Sequence, residues 1–138
     1  MFIKEEELPK VMVEDMNEVH ETEVRLLNDL YEKIEKFEKG EVSLEEIEKI
    51  YGEFVDDVVQ HFQFENELMS EYNFFAYPMH RGEHDRVLQE LKYIEKVFKE
   101  KRDPSVIKDY LIYNFKPWLI SHIQSMDTVT AMFLSNFI

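Results

Sequence analysis

The chain has five histidines, and each of them stands where it could serve as a metal ligand: His20, His61, His80, His84 and His122. His80 and His84 are four residues apart, a spacing that places both side chains on one face of a helix. Glu65 follows His61 by four residues, and Asp127 follows His122 by five. Imidazole suits iron, zinc and copper, and carboxylates can lie between two cations. Five imidazoles and two carboxylates are more than one zinc ion needs and come close to what two iron ions need.

The positions of these residues along the chain indicate that they meet at one level of a helical bundle. In antiparallel helices joined by short turns, residues at the same height are symmetric about each turn. The midpoint of His20 and His61 lies beside Gly40. Position 72.5 is midway between residues 61 and 84, and also between residues 65 and 80. It lies at the start of residues 73–78, a segment whose sequence does not favour a helix. The midpoint of residues 84 and 122 falls on Asp103-Pro104.

The bulk composition favours a single helical domain over residues 1–138. Hydrophobic residues make up 44% of the chain, with only 3 glycines and 4 prolines, so long helices with a real core are expected. The absence of cysteine excludes disulfides, thiolate zinc sites, iron–sulfur clusters and a cysteine nucleophile. A net charge of −14 argues against partners such as nucleic acid or an anionic membrane. No apolar run is long enough to span a membrane and no signal-peptide pattern is present, so we expect a cytoplasmic protein.

Helical periodicity and turn signals predict an all-α fold, an up-down-up-down antiparallel four-helix bundle. The first helix is expected from Val13 to Lys39, ended by Gly40, and a capping box at residues 43–46 opens the second. A turn at 73–78 leads to a third helix from 78 to 101. Asp103-Pro104 supplies the cap and first position of the fourth helix.

The fourth helix is expected to direct Met126 and Val129 inward together with His122. Pro117 is expected to bend it one turn before the histidine. Five residues of ideal α-helix rotate Asp127 by about 140° from His122, so the two are predicted to approach a metal pair from different sides.

Other metal chemistries fit the spacing less well. A metalloprotease helix carries His-Glu-x-x-His, and Arg81 occupies the position of the glutamate. The ferritin-like di-iron proteins carry Glu-x-x-His twice, and no histidine here has a glutamate three residues before it.

The chain resembles the hemerythrin family over its whole length. The resemblance rests on HFQFENELM at 61–69, HRGEH at 80–84, WLISHIQSMD at 118–127 and the histidine at position 20. It implies a non-haem di-iron centre in the core of the bundle. One iron would be held by His80, His84 and His122, and the other by His20 and His61, with Glu65, Asp127 and an oxo or hydroxo group as bridges.

The resemblance further implies that dioxygen binds at an open position of the second iron. The apolar side chains expected over that position are Trp118, Leu119, Ile123 and Phe62. Two departures concern neighbours of the ligands: Met16-Asn17 stands where bacterial members often have Ile-Asp, and Asn66 stands where glutamate is frequent.

Three functions are compatible with these residues. The first is reversible dioxygen binding for storage, delivery or scavenging, by a protein that is not an enzyme. The second is an enzyme that reduces peroxide or nitric oxide at the same centre. The third is an oxygen or redox sensor that acts through a protein partner, which the sequence does not identify.

Overall fold

The computed structural model describes residues 1–138 as an all-helical bundle without a β-strand. Its long helices are α1 (Glu14–Glu38), α2 (Leu44–Glu71), α3 (Tyr77–Lys101) and α4 (105–134), preceded by a short 3₁₀ helix at Glu5–Glu7. Consecutive helices pack against each other across short turns and are therefore antiparallel, and α4 returns to contact α1 and α2. This confirms the predicted up-down-up-down four-helix bundle. No helix combines the length and apolar character needed to cross a lipid bilayer.

The turns lie where the sequence predicts them, and each has a local cause. Gly40 adopts a φ of 74°, a left-handed conformation that glycine takes without steric cost. Ser43 Oγ then accepts a hydrogen bond from the Glu46 N–H at 3.2 Å and caps α2. Asp103 Oδ1 accepts from the Ser105 N–H at 3.0 Å at the start of α4. The turn between α2 and α3 is shorter than predicted, because α3 already begins at Tyr77.

Both ends of the chain pack onto the bundle. Ile3 is fully buried, and its backbone N–H and C=O bond to the Asn28 side chain at 2.8 and 2.9 Å. At the other end Phe133 packs against Phe74 and Phe137 stacks on Tyr72, so the apolar tail covers the turn between α2 and α3.

Two π-helical turns divide α4. The α-helical segments are Ser105–Tyr110, Lys116–His122 and Thr128–Leu134, and the π-helical segments between them are Leu111–Phe115 and Ile123–Asp127. The first π turn ends at Phe115, two residues before Pro117, which has no N–H to donate and at which the sequence predicts a bend.

The second π turn corrects the predicted inward face of α4. Val129 is 48% exposed and Met126 is only half-buried, whereas Asp127 and Thr130 are fully buried. A π turn holds one residue more than an α-helical turn, so the residues after it are displaced around the helix relative to the predicted periodicity.

Candidate metal centre

The structure brings all seven predicted ligands together in the core, and none of them is more than 4% exposed: His20, His61, Glu65, His80, His84, His122 and Asp127. α1 contributes one of them, and each of the other three helices contributes two. Their potential ligand atoms form two groups, each with all atoms within 4.8 Å of one another. Three histidines belong to one group, two belong to the other, and both carboxylates are shared.

Glu65 lies between the two groups of histidines. Its Oε2 atom is 2.7 Å from His61 Nε2 and 3.4 Å from His20 Nε2. Its Oε1 atom is 3.2 Å from His84 Nε2 and 3.5 Å from His80 Nε2. One carboxylate oxygen therefore faces each group.

Asp127 divides its two oxygens in the same way. Oδ2 is 3.0 Å from His20 Nε2, while Oδ1 is 3.0 Å from His80 Nε2 and 3.1 Å from His122 Nε2. A carboxylate that presents one oxygen to each of two sets of imidazole nitrogens has the arrangement required to bridge two cations.

The π turn at Ile123–Asp127 positions Asp127 in a way that the sequence argument misses. The expected rotation of about 140° assumed an ideal α-helix, but the wider i→i+5 turn brings residues five apart onto one side of the helix. Asp127 therefore reaches the nitrogen of His122 and still faces His20 on the other side. The rotation expected for an ideal α-helix therefore does not apply to Asp127 and His122, and the structure places both residues in one cluster.

Three of the five histidines have a hydrogen-bonding partner at Nδ1, on the side of the ring away from the site. These pairs are His61 with Glu23 Oε1 at 2.8 Å, His80 with Thr130 Oγ1 at 2.8 Å, and His84 with Asn66 Oδ1 at 2.9 Å. An acceptor at Nδ1 fixes the proton there and leaves Nε2 free for a metal.

Sequence reasoning missed two of these partners. Glu23 and Thr130 each lie three residues after a predicted ligand, on the same side of the helix, and this spacing is the signal that could have found them. Asn17, noted for its place before His20, instead exchanges two hydrogen bonds of 2.9 Å with the backbone of Val11. His20 Nδ1 is buried without a partner.

Aromatic rings cover the group of three histidines. Phe62 stacks on His84 with ring centroids 4.0 Å apart, and Trp118 stacks on His122 at 4.5 Å. Trp118 Nε1 donates to Glu83 at 2.7 Å, which fixes the orientation of the indole. The other two predicted pocket residues, Leu119 and Ile123, are fully buried.

Burial and ion pairing compete in setting the charges of this cluster. Burial lowers the pKa of His20, but the close carboxylates of Asp127 and Glu65 outweigh it and raise that pKa to about 9. The pKa of His61 is also raised, since the charges of Glu23 and Glu65 outweigh burial. Burial raises the pKa of the Glu65 and Asp127 carboxyls, and their histidine partners reverse this and hold each well below its usual value. In the metal-free site the neighbouring carboxylates therefore favour the protonated forms of His20 and His61.

The donor atoms fit a pair of cations. Several buried atoms have no well-aligned hydrogen-bond partner, among them His20 Nε2, His84 Nε2, Glu65 Oε1 and both oxygens of Asp127. Burying such atoms unpaired is costly, and a coordinated cation satisfies them. Imidazole and carboxylate ligands suit iron and other divalent transition metals, and the number of donors exceeds the four of a structural zinc site.

The fold and this cluster define a helical-bundle protein with a buried histidine and carboxylate site for cations. Residues 11–134 match the family model described as the hemerythrin HHE cation binding domain. The chain belongs to the hemerythrin family, which confirms the resemblance of its motifs. It is 37% identical over 136 residues to the bacteriohemerythrin of Aquifex aeolicus (strain VF5), covering 99% of this chain and 100% of that relative. Comparison with solved structures gives no significant match.

Proposed function

We propose that the protein binds dioxygen reversibly at a non-haem di-iron centre, for storage, delivery or scavenging, and that it is not an enzyme. The observation that carries this proposal is the division of the oxygens of Glu65 and Asp127 between two groups of histidines. The similarity to a bacteriohemerythrin supports the same function. The cytoplasmic location expected from the sequence remains a prediction.

In this proposal each metal has its own set of histidines. His80, His84 and His122 would hold one iron, and His20 and His61 the other. Glu65 and Asp127 would bridge them together with an oxo or hydroxo group. When bound, two ferrous ions supply the two electrons that reversible dioxygen binding requires.

The unequal sets of histidines give the two metals different roles. The two irons would share the same bridging ligands, but one of them has three histidines and the other has two. The iron with two histidines would therefore keep a free coordination position. Phe62, Trp118, Leu119 and Ile123 would form the apolar boundary of the centre, and Phe62 lies against both sets of histidines, with its ring centroid 4.0 Å from that of His84 and 5.1 Å from that of His61. An apolar boundary excludes water and acid, and so protects a ligand that must leave unchanged. A carrier needs this protection more than a catalyst does.

A single optical experiment separates the proposed carrier from the enzyme considered above. The iron-loaded, reduced protein is exposed to air and then returned to argon through several cycles, with the visible spectrum recorded at each stage. We expect an absorption band that forms in air and is lost under argon without loss of iron. A band that never reverses, together with catalytic consumption of peroxide or nitric oxide, would overturn the carrier and favour the enzyme.

A further inference from the structure

Two surface pockets reach the buried centre, and each has a predicted ligand in its wall. The first has a volume of about 380 Å³, reaches His80 and is otherwise mainly apolar, with Phe74, Phe75, Met79, Met126 and Val129 around it. The second has a volume of about 450 Å³, lies between α1 and α2 and reaches His61. Three carboxylates line the second: Asp15, Glu18 and Asp57. We call it the acidic pocket.

A buried carboxylate with one oxygen left without a partner contacts His61 in the wall of the acidic pocket. Glu23 is fully buried, and its Oε1 atom bonds to Nδ1 of His61, the ligand in the pocket wall. Its Oε2 atom has no hydrogen-bond partner, and neither has the buried Oδ2 atom of Asp57. The two carboxylates are close enough for the charge of Glu23 to act on Asp57. Buried carboxylate oxygens without a hydrogen-bond partner are costly, and a passing cation would stabilise them.

We infer that the acidic pocket is the route by which divalent cations reach the buried centre, with Asp57 and Glu23 as successive oxygen ligands on the way to His61. The inference rests on the proposed metal centre. Each predicted ligand is 4% exposed or less, so a cation has to shed its water before it arrives. Carboxylate oxygens can replace that water one ligand at a time.

The apolar pocket beside His80 cannot serve a cation in this way. Apart from His80, only Ser125 and Thr130 among its lining residues carry a polar side chain. Moving a divalent cation from water into apolar surroundings is strongly unfavourable. The two pockets thus differ in the kind of molecule that they admit, although each reaches one histidine of the centre.

The rate of metal uptake by the metal-free full-length protein tests this route. The probe is Co²⁺, whose visible absorption changes when histidine ligands replace water, followed by stopped flow at low ionic strength. The test variant is the triple change Asp15→Asn, Glu18→Gln and Asp57→Asn. The matched control removes three charges from another acidic depression, which no predicted ligand lines: Glu5→Gln, Glu6→Gln and Glu21→Gln.

We expect the test variant to take up Co²⁺ about tenfold more slowly than the control variant, the lower end of electrostatic steering effects. The difference between the two uptake rates should shrink in about 0.5 M salt. The Debye length is then about 4 Å, so counterions screen the pocket carboxylates that the control variant retains. Thr22→Lys, which places a cation in the same pocket, should slow uptake in the same way, and Met79→Trp in the apolar pocket should not.

Equal rates for the test and control triple variants would overturn the route, and so would slow uptake in Met79→Trp alone. The final amount of metal distinguishes the two proposals. If every protein binds about two Co²⁺ per chain and only the rates fail to differ, the route is wrong and the centre stands. If the unmodified protein binds no Co²⁺, the proposed centre itself is wrong.

Discussion

Replacing Glu23 by glutamine tests how the centre holds His61. The carboxylate bonds to His61 Nδ1 at 2.8 Å, and both side chains are fully buried. Glutamine keeps the size and one acceptor oxygen but loses the charge. The histidine therefore keeps its orientation, while its Nε2 becomes a weaker ligand for a cation.

The size of the effect follows from the type of hydrogen bond. A bond to a charged group contributes about 1.5–3 kcal/mol and a neutral one about 0.5–1.5 kcal/mol, so the change costs about 1–1.5 kcal/mol. This corresponds to a loss of affinity of about fivefold to tenfold at the site formed by His20 and His61. Glu23→Ala leaves Nδ1 without a partner and should lose about 10-fold to 100-fold.

Competition with a coloured chelator gives the equilibrium affinity for each of the two metals. Glu32→Gln is the control, since Glu32 lies on the same helix with a side chain that is 63% exposed. We expect the control to bind like the unmodified protein and Glu23→Gln to lose affinity for one metal only. Equal affinities for Glu23→Gln and the control would refute the role of Glu23, and an equal loss at both metals would refute the grouping of the histidines.

Three further predictions concern the bridging carboxylates, the apolar boundary and the metal-free state. Glu65→Ala and Asp127→Ala should each lose the metal pair, as read by iron content, whereas Glu67→Ala should keep it because Glu67 is exposed. Leu119→Ala should retain iron, but its visible band in air should decay faster, because a fully buried branched side chain is removed and water gains access. The pKa of His20 in the metal-free fold is raised from 6.5 to about 9. Its proton therefore stabilises that fold fully below pH 6.5, and this stability is lost as pH rises towards 9, so the Tm of the metal-free protein should fall across this range.

Each of these predictions has an outcome that contradicts it. Iron loss from Glu67→Ala with retention by Glu65→Ala would mean that the register of α2 is wrong. An unchanged decay rate for Leu119→Ala would remove that side chain from the boundary. A Tm of the metal-free protein that is constant or rises between pH 6.5 and 9 would show that His20 is not held protonated by Asp127 and Glu65.

The site could be predicted from the sequence largely because ideal helices and short turns fix heights in a bundle. His20, His61 and His84 occupy the level expected from turns at Gly40 and at residues 72–76. Helical period and turn position are local properties, determined by the order of apolar residues and by glycine, proline and capping residues.

The fourth helix shows where local periodicity stops being sufficient. Val129 satisfies the α-helical pattern and is nevertheless 48% exposed, because the π turn before it changes the register. The same turn aligns Asp127 with His122. A π turn is rare and interrupts the α-helical period, so the apolar pattern of the sequence does not predict it. The Glu23–His61 contact joins residues 38 positions apart, so the spacing of Glu23 from His20 could place it on the inner face of α1, but the packing of α1 on α2 decides which histidine it contacts.

The dioxygen bound per iron tests the central claim most directly. The reduced, iron-loaded protein is titrated with dissolved dioxygen, and iron is determined on the same sample. We expect about two irons per chain and about one dioxygen for each pair, released when the gas is removed, as a bridged di-iron centre requires. A single zinc ion per chain, or dioxygen consumed continuously without release, would contradict the account.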